Sequence, residues 1–259
     1  MIEIENLTFR YGTRSTPVFD RFNWQVAPGE MWSIIGASGC GKTTLLTLIA
    51  GLRRAASGTI RVGGTVIHRP RPETGLILQD YGLLPWATVW DNVALGLRVR
   101  RFYGPDGTHA PRTQALSRRA ARGMVEEWLS RLNIEDQRDK FPGAISGGQR
   151  QRTAIARTLA LQPDVLLMDE PFSSLDAPTR EDLQRLILQL RAEMNLTSVI
   201  VTHAIEEAAM LGRQILVLGQ PPNTTPVIVS NPGAGTYGYR GTTDFLEKCT
   251  ELRRLLGVE

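Results

Sequence analysis

The chain has 259 residues, room for one large α/β domain or two small ones. Hydrophobic residues make up 42% and charged residues 22%, and no apolar run reaches the roughly eighteen residues a membrane helix needs. Two cysteines, Cys40 and Cys249, give no disulfide framework, and the first residues lack the basic-then-apolar pattern of a signal peptide, so a reducing cytoplasm is the expected home. Nucleic-acid binding needs a clustered basic stripe or a stacking platform; a net charge of +4 supplies neither, and no nucleic-acid partner is expected.

In chain order, residues 2–4, 7–11 and 22–26 alternate apolar and polar and read as β-structure. Residues 31–35 form a short apolar run, fit for a strand buried on both faces. A Gly-rich loop follows, then a helix over 44–51, stopped by Gly51. Residues 57–67 read as a hairpin with Gly63-Gly64 at the turn, and 75–79 as another buried strand. Residues 80–161 read as mainly helical, broken by a loop at 103–107. Buried strands return at 165–168, 198–201 and 215–218, with a helix over 179–194. Strands alternating with helices imply a largely parallel sheet. Residues 219–241 are rich in Pro, Gly, Thr and Asn, and 244–256 read as a closing helix.

The loop Gly36-Ala37-Ser38-Gly39-Cys40-Gly41-Lys42-Thr43 fits the pattern G-x-x-x-x-G-K-[ST]. Glycines let successive N–H groups curl inward around a phosphate chain, and the following helix adds its N-terminal dipole. Lys42 is placed to neutralise the outer phosphates, and Thr43 to offer its hydroxyl to Mg²⁺. Cys40 is either a filler of this loop or, beside Lys42 and a helix N-terminus, a reactive thiol.

A second pattern ends the strand at 165–168 with Asp169-Glu170. Ligands of open α/β sheets sit beyond the carboxyl ends of strands, so Asp169 should face the crevice of Lys42 and hold the Mg²⁺ shell. Glu170 follows, placed to orient or deprotonate an attacking water. A third pattern, Ser146-Gly147-Gly148-Gln149, opens a helix and is again an anion-binding geometry. One nucleotide site does not need two such devices; a head-to-tail dimer that shares them explains both.

With these three patterns in this order, the chain resembles the ATP-binding subunit of an ATP-binding-cassette (ABC) transporter over residues 1–220. The resemblance implies a P-loop NTPase (RecA-like) α/β core at about 1–79 and 162–220, with antiparallel β elements at its N-terminal end. A helical lobe at 80–161 is inserted in the core, and a short tail at 221–259 follows it. It also implies roles. Tyr11 stacks on adenine, and the loop from Gly36 to Thr44 grips the phosphates. Gln79 corresponds to the glutamine near Mg²⁺ and the membrane subunit, Asp176 in Ser174-Leu175-Asp176 to the loop that crosses the dimer, and His203 to the switch histidine on the γ-phosphate. ATP and Mg²⁺ are the implied cofactors. The implied partners are a second ATPase copy or a related chain, integral membrane permease subunits and, indirectly, a solute-binding protein, at the cytoplasmic face of the inner membrane.

Leu83-Leu84-Pro85-Trp86-Ala87-Thr88-Val89-Trp90-Asp91-Asn92-Val93 is similar to the segment after the glutamine in the nitrate/sulfonate/taurine import group. Two departures stand out. Ile145 replaces a usual Leu, and Ala204 stands where an Asp commonly follows the histidine, which leaves a local hydrogen bond open. The stretch 98–122 carries Arg98, Arg100, Arg101, Arg112, Arg118, Arg119 and Arg122 against Asp106; it is either a solvated face or a contact for anionic lipid or a partner. Two other classes compete with an import motor. A soluble non-transport ABC ATPase would carry a second cassette or long heptads, and a module without turnover would lack Lys42, Asp169, Glu170 or His203.

Overall fold

The computed structural model describes residues 1–12, 15–102, 116–236 and 238–258. The expected loop at 103–107, with Asp106 and Arg112, lies outside them.

Among the described residues, two sheets sandwich one helix. The first sheet is antiparallel, ordered β2-β1-β4-β5, from β1 (Ile2–Phe9), β2 (Phe19–Val26), β4 (Ser57–Val62) and β5 (Thr65–Val66). The two alternating segments read at 2–4 and 7–11 belong to a single strand. Its register against β2 shifts between Ile4 and Leu7, where Asn6 takes a left-handed φ of 51°. That bulge resets the alternation, so Ile2, Ile4, Leu7 and Phe9 all face inward.

The second sheet runs β10-β9-β3-β8-β7-β6, from β3 (Met31–Gly36), β6 (Thr74–Ile77), β7 (Val165–Asp169), β8 (Thr197–Val201), β9 (Gln214–Leu218) and β10 (Val227–Ser230). All neighbours are parallel except the β9–β10 pair. Strands β3, β7 and β8 are buried at every residue, as their apolar runs require.

Helix α1 (Lys42–Ile49) fills the space between the sheets. It buries Leu45, Leu46, Leu48 and Ile49, each stabilising by roughly 2 kcal/mol relative to exposure. The connection from β6 to β7 carries α2 (Val89–Phe102), α3 (Arg118–Arg131) and α4 (Gly147–Leu159), which share a core with Ile77, Leu166 and Met168. Residues 80–88 are turns rather than helix.

The segment after residue 220 packs into the body. Strand β10 extends the main sheet, and α7 (Thr243–Leu256) buries Phe245, Cys249 and Leu252 against α6 (Ile205–Leu211) and β9. The sequence pattern predicts no strand at 227–230. The run is four residues long, follows Pro226, and leaves Val227 and Ile228 exposed on the sheet edge.

Candidate nucleotide site

The site grows from the carboxyl ends of adjacent parallel strands. Strand β3 ends at Gly36, and the loop 37–41 turns the chain into α1. Gly39 and Gly41 take left-handed φ values of 78° and 111°, so glycine is required there. At Gly41 a Cβ would also come within 2.5 Å of Val18 Cγ1, which lets the loop press against the first sheet. Helix α1 has Gly41 as its N-cap, with no side chain bonding its first N–H groups and no acid in its first turn. Those donors and the helix dipole are free for an anion.

Lys42 is only 8% exposed, and its Nζ donates to Gly36 O at 2.7 Å and Ala37 O at 3.1 Å. The ammonium is thereby fixed over the loop. Thr43 Oγ1 donates to Asp169 Oδ1 at 3.1 Å, joining the start of α1 to the end of β7. Burial pushes the Asp169 carboxyl up, with the neighbouring Glu170 charge adding to this and Thr43 and Lys42 opposing it. A buried carboxylate beside a hydroxyl fits Mg²⁺, which takes one or two protein oxygens and completes its shell with water and phosphate.

Glu170 sits one residue past β7 with φ 46°, a left-handed conformation that swings its side chain out of the strand alternation. Its Oε2 accepts from Gln79 Nε2 at 3.3 Å, and His203 Nδ1 lies 3.1 Å from the same oxygen. Gln79 is two residues beyond β6 and His203 two beyond β8. Because β6, β7 and β8 are parallel neighbours, their ends deliver all three groups to one point.

The turn that carries His203 has its own support. Thr202 Oγ1 donates to Glu207 Oε2 at 2.6 Å and accepts from Ala204 N–H at 3.0 Å. This is how the turn is held with alanine in the position after the histidine. Glu207, buried on α6, also faces Arg180 at 3.7 Å, and Arg180 donates to Leu175 O at 2.7 Å. Neither Glu207 nor Arg180 falls in a sequence motif. In sequence they are one acid of a Glu206-Glu207 pair and one base in a helix.

Tyr11 is 61% exposed, with its hydroxyl 2.6 Å from Thr44 Oγ1 and the Arg53 guanidinium 4.9 Å over its ring. It therefore stands at the rim of the phosphate loop. Cys40, by contrast, is fully buried, and burial pushes its thiol up against the opposing pull of Lys42. Of the two readings, the structure selects the filler. Buried Asn223, a residue not singled out in the sequence, donates to Cys40 O at 2.9 Å and Val18 O at 3.2 Å, bracing the loop from behind.

Ser146, Gly147, Gly148 and Gln149 lie elsewhere, at the start of α4. Ser146 and Gln149 form a reciprocal capping box: Gln149 N–H donates to Ser146 Oγ at 3.2 Å, and Ser146 N–H to Gln149 Oε1 at 2.9 Å. No hydrogen bond joins them to the phosphate loop among the described residues. Gly147 lies beside Leu175, and Gly148 beside Thr179 in the first turn of α5 (Ala177–Met194). A Cβ on Gly148 would lie 2.5 Å from Thr179 Cγ2, so only glycine allows this approach. Asp176 caps α5, accepting from Thr179 N–H at 3.4 Å; hydrogen bonding by the Thr179 side chain and then its backbone holds the carboxyl below the usual range. The two segments expected to serve a second subunit's nucleotide thus adjoin each other, apart from this chain's own phosphate loop.

Part of the arginine-rich stretch is used internally. Arg98 pairs with Asp91 at 2.6 Å, Arg122 with Glu126 at 2.9 Å, and half-buried Arg100 donates to Leu161 O and Pro72 O. Trp86 is 74% exposed, whereas Trp90 packs on the helical core under Arg138. No described helix is long and apolar enough to cross a membrane.

The ABC transporter family model matches residues 19–173. The chain is 38% identical to the bicarbonate transport ATP-binding protein of Synechocystis sp., over 86% of this chain and 75% of that one. It is 39% identical to the taurine import ATP-binding protein of Chromobacterium violaceum, over 84% and 78%. It is 37% identical to the nitrate transport protein of Klebsiella oxytoca, over 87% and 82%. A solved dimeric bacterial ABC transporter cassette superposes with a TM-score of 0.74 at 29% identity, covering 89% of this chain and 98% of that one. The chain belongs to the ABC transporter family. The expected ATP-binding-cassette fold is thereby established, and with it the activity: ATP binding and hydrolysis coupled to transport.

Proposed function

We propose that this chain is the motor of an importer for a small anionic solute, acting as a head-to-tail dimer on separate permease subunits at the cytoplasmic face of the membrane. The solute class is supported by relatives named for bicarbonate, taurine and nitrate, and by the 83–93 segment similar to that group. Its pairing partner is a second copy or a related ATPase chain, and a solute-binding protein delivers the cargo outside.

The observation that carries the mechanism is the meeting of Gln79, Glu170 and His203 beside the Thr43–Asp169 contact. Lys42 and the N–H groups of residues 36–44 hold the phosphates, and Tyr11 takes the adenine. Thr43, Asp169 and Gln79 would hold Mg²⁺, which when bound would neutralise charge on the outer phosphates. Glu170 orients and deprotonates the attacking water, while His203 positions the γ-phosphate. Ser146–Gln149 and Asp176 of the second subunit close the site from the far side. Positioning and charge do most of the work in such a reaction.

Glu170→Gln tests this. ATP binding should persist while turnover falls by at least ~100-fold, with an ATP-dependent dimer accumulating in sedimentation. Turnover at the wild-type rate would remove Glu170 from the role.

A further inference from the structure

Tyr81 lies two residues past Gln79 and belongs to none of the motifs described above. Its backbone is left-handed, with φ 65°, as is that of Gly82 at 57°. For an aromatic residue this conformation is strained and is kept only where surroundings impose it. Two such impositions are visible. Tyr81 N–H donates to Leu78 O at 3.0 Å, closing the turn. Arg157 of α4 donates to Tyr81 O at 2.8 Å and Gly82 O at 2.6 Å, and burial lowers its own pKa.

This conformation aims the side chain at two other motifs. The Tyr81 hydroxyl is hydrogen-bonded to Ser174 Oγ, two residues before Asp176. The same hydroxyl is close to Gly147, where a Cβ would lie 3.7 Å away, and the Arg150 guanidinium lies 5.9 Å over its ring. One residue therefore touches the segment after Gln79, the segment 174–176 and the start of α4.

We propose that Tyr81 is a positioning residue that couples this chain's own Gln79–Glu170 pair to the surface presented to the second subunit. This rests on the dimer reading above. In that reading Gln79 serves this chain's nucleotide, while Asp176 and Ser146–Gln149 serve the partner's. A hydroxyl that ties Ser174 to the turn after Gln79 makes displacement of one displace the other. The hydrogen bonds of Tyr81 run to Ser174, Arg157 and Leu78, none of them in this chain's phosphate loop, so in this reading it acts on the rate of the assembled site and leaves the first grip on ATP unaltered.

The test is a double-mutant cycle on ATPase activity of the purified chain, with Tyr81→Phe, Ser174→Ala and both together. Tyr81→Phe keeps the ring over Arg150 and removes only the hydroxyl. Each single variant should lower kcat by about five-fold with KM for ATP within about two-fold. The double variant should be no slower than either single one, and all should melt within about 2 °C of the wild type. Wild-type kcat in either single variant, multiplying effects in the double, or a rise in KM that accounts for the loss would each overturn the coupling. Ser146→Arg, assayed alongside, separates the two layers. If it retains full ATPase activity, the shared-site reading itself is wrong, whatever the cycle gives.

Discussion

Glu207 is 6% exposed, and burial pushes its carboxyl above the ordinary 4.5, with the Thr202 hydroxyl and Arg180 opposing. Its neighbours set the turn of His203, so the side chain is a support whose charged form is costly. In the folded protein Glu207 binds its proton more tightly than in the unfolded chain. Its contribution to stability is therefore complete below about pH 4.5 and is lost as pH rises through the elevated folded value. Glu207→Gln keeps an acceptor for Thr202 and abolishes the titration. Relative to the wild type, the variant should gain nothing near pH 4 and melt higher at pH 8; a constant difference across that range would show that the titration does not matter. Gly148 illustrates the other use of a single residue. Its missing Cβ is what lets α4 reach Thr179, and no side-chain chemistry in the sequence announces that packing.

At the scale of elements, the segment that reads as a loop-rich tail is the most revealing. Asn231, fully buried after β10, donates to Ala209 O at 2.7 Å and Gly212 O at 2.9 Å, and accepts from the Tyr239 hydroxyl. It thus satisfies carbonyls at the end of α6, whose start carries the support for His203. Replacing it with alanine leaves two buried carbonyls and a phenol without partners. Asn231→Ala should cost about 2–4 kcal/mol in urea denaturation, and an effect below about 0.5 kcal/mol would mean water replaces the amide freely. The composition of 219–241 conceals this, because a buried asparagine and a surface asparagine look alike in a sequence. Helix α4, in contrast, announces its start: Ser146 with Gln149 three residues on is a capping box in sequence and in structure.

For the whole molecule, the important fact is which motifs stand together. The phosphate loop, Gln79, Asp169, Glu170 and His203 converge, whereas Ser146–Gln149 and Asp176 cluster with Tyr81 and α5. A second subunit that contributes the latter group would complete the former. Ser146→Arg places a bulky cation on that face without touching the phosphate loop. ATP binding to the single subunit should remain within about three-fold, while ATPase activity falls at least ~20-fold and no ATP-dependent dimer forms by light scattering. Retained activity would mean that one subunit suffices.

By itself, the sequence determined the alternating α/β order, the phosphate loop, the two strand-end acids and the helix start at Ser146-Gly147-Gly148-Gln149, since each rests on local spacing or on a run of neighbouring residues. It also carried enough motif order to place the chain in its family. Only the tertiary structure decided that the alternation broken at Asn6 is one bulged strand, and that Cys40 is a buried filler. The joining of Thr202, Glu207 and Arg180, and the placing of Tyr81 against Ser174, were likewise decided there. Those outcomes depend on burial and on contacts between residues far apart in the chain, quantities that no local pattern encodes.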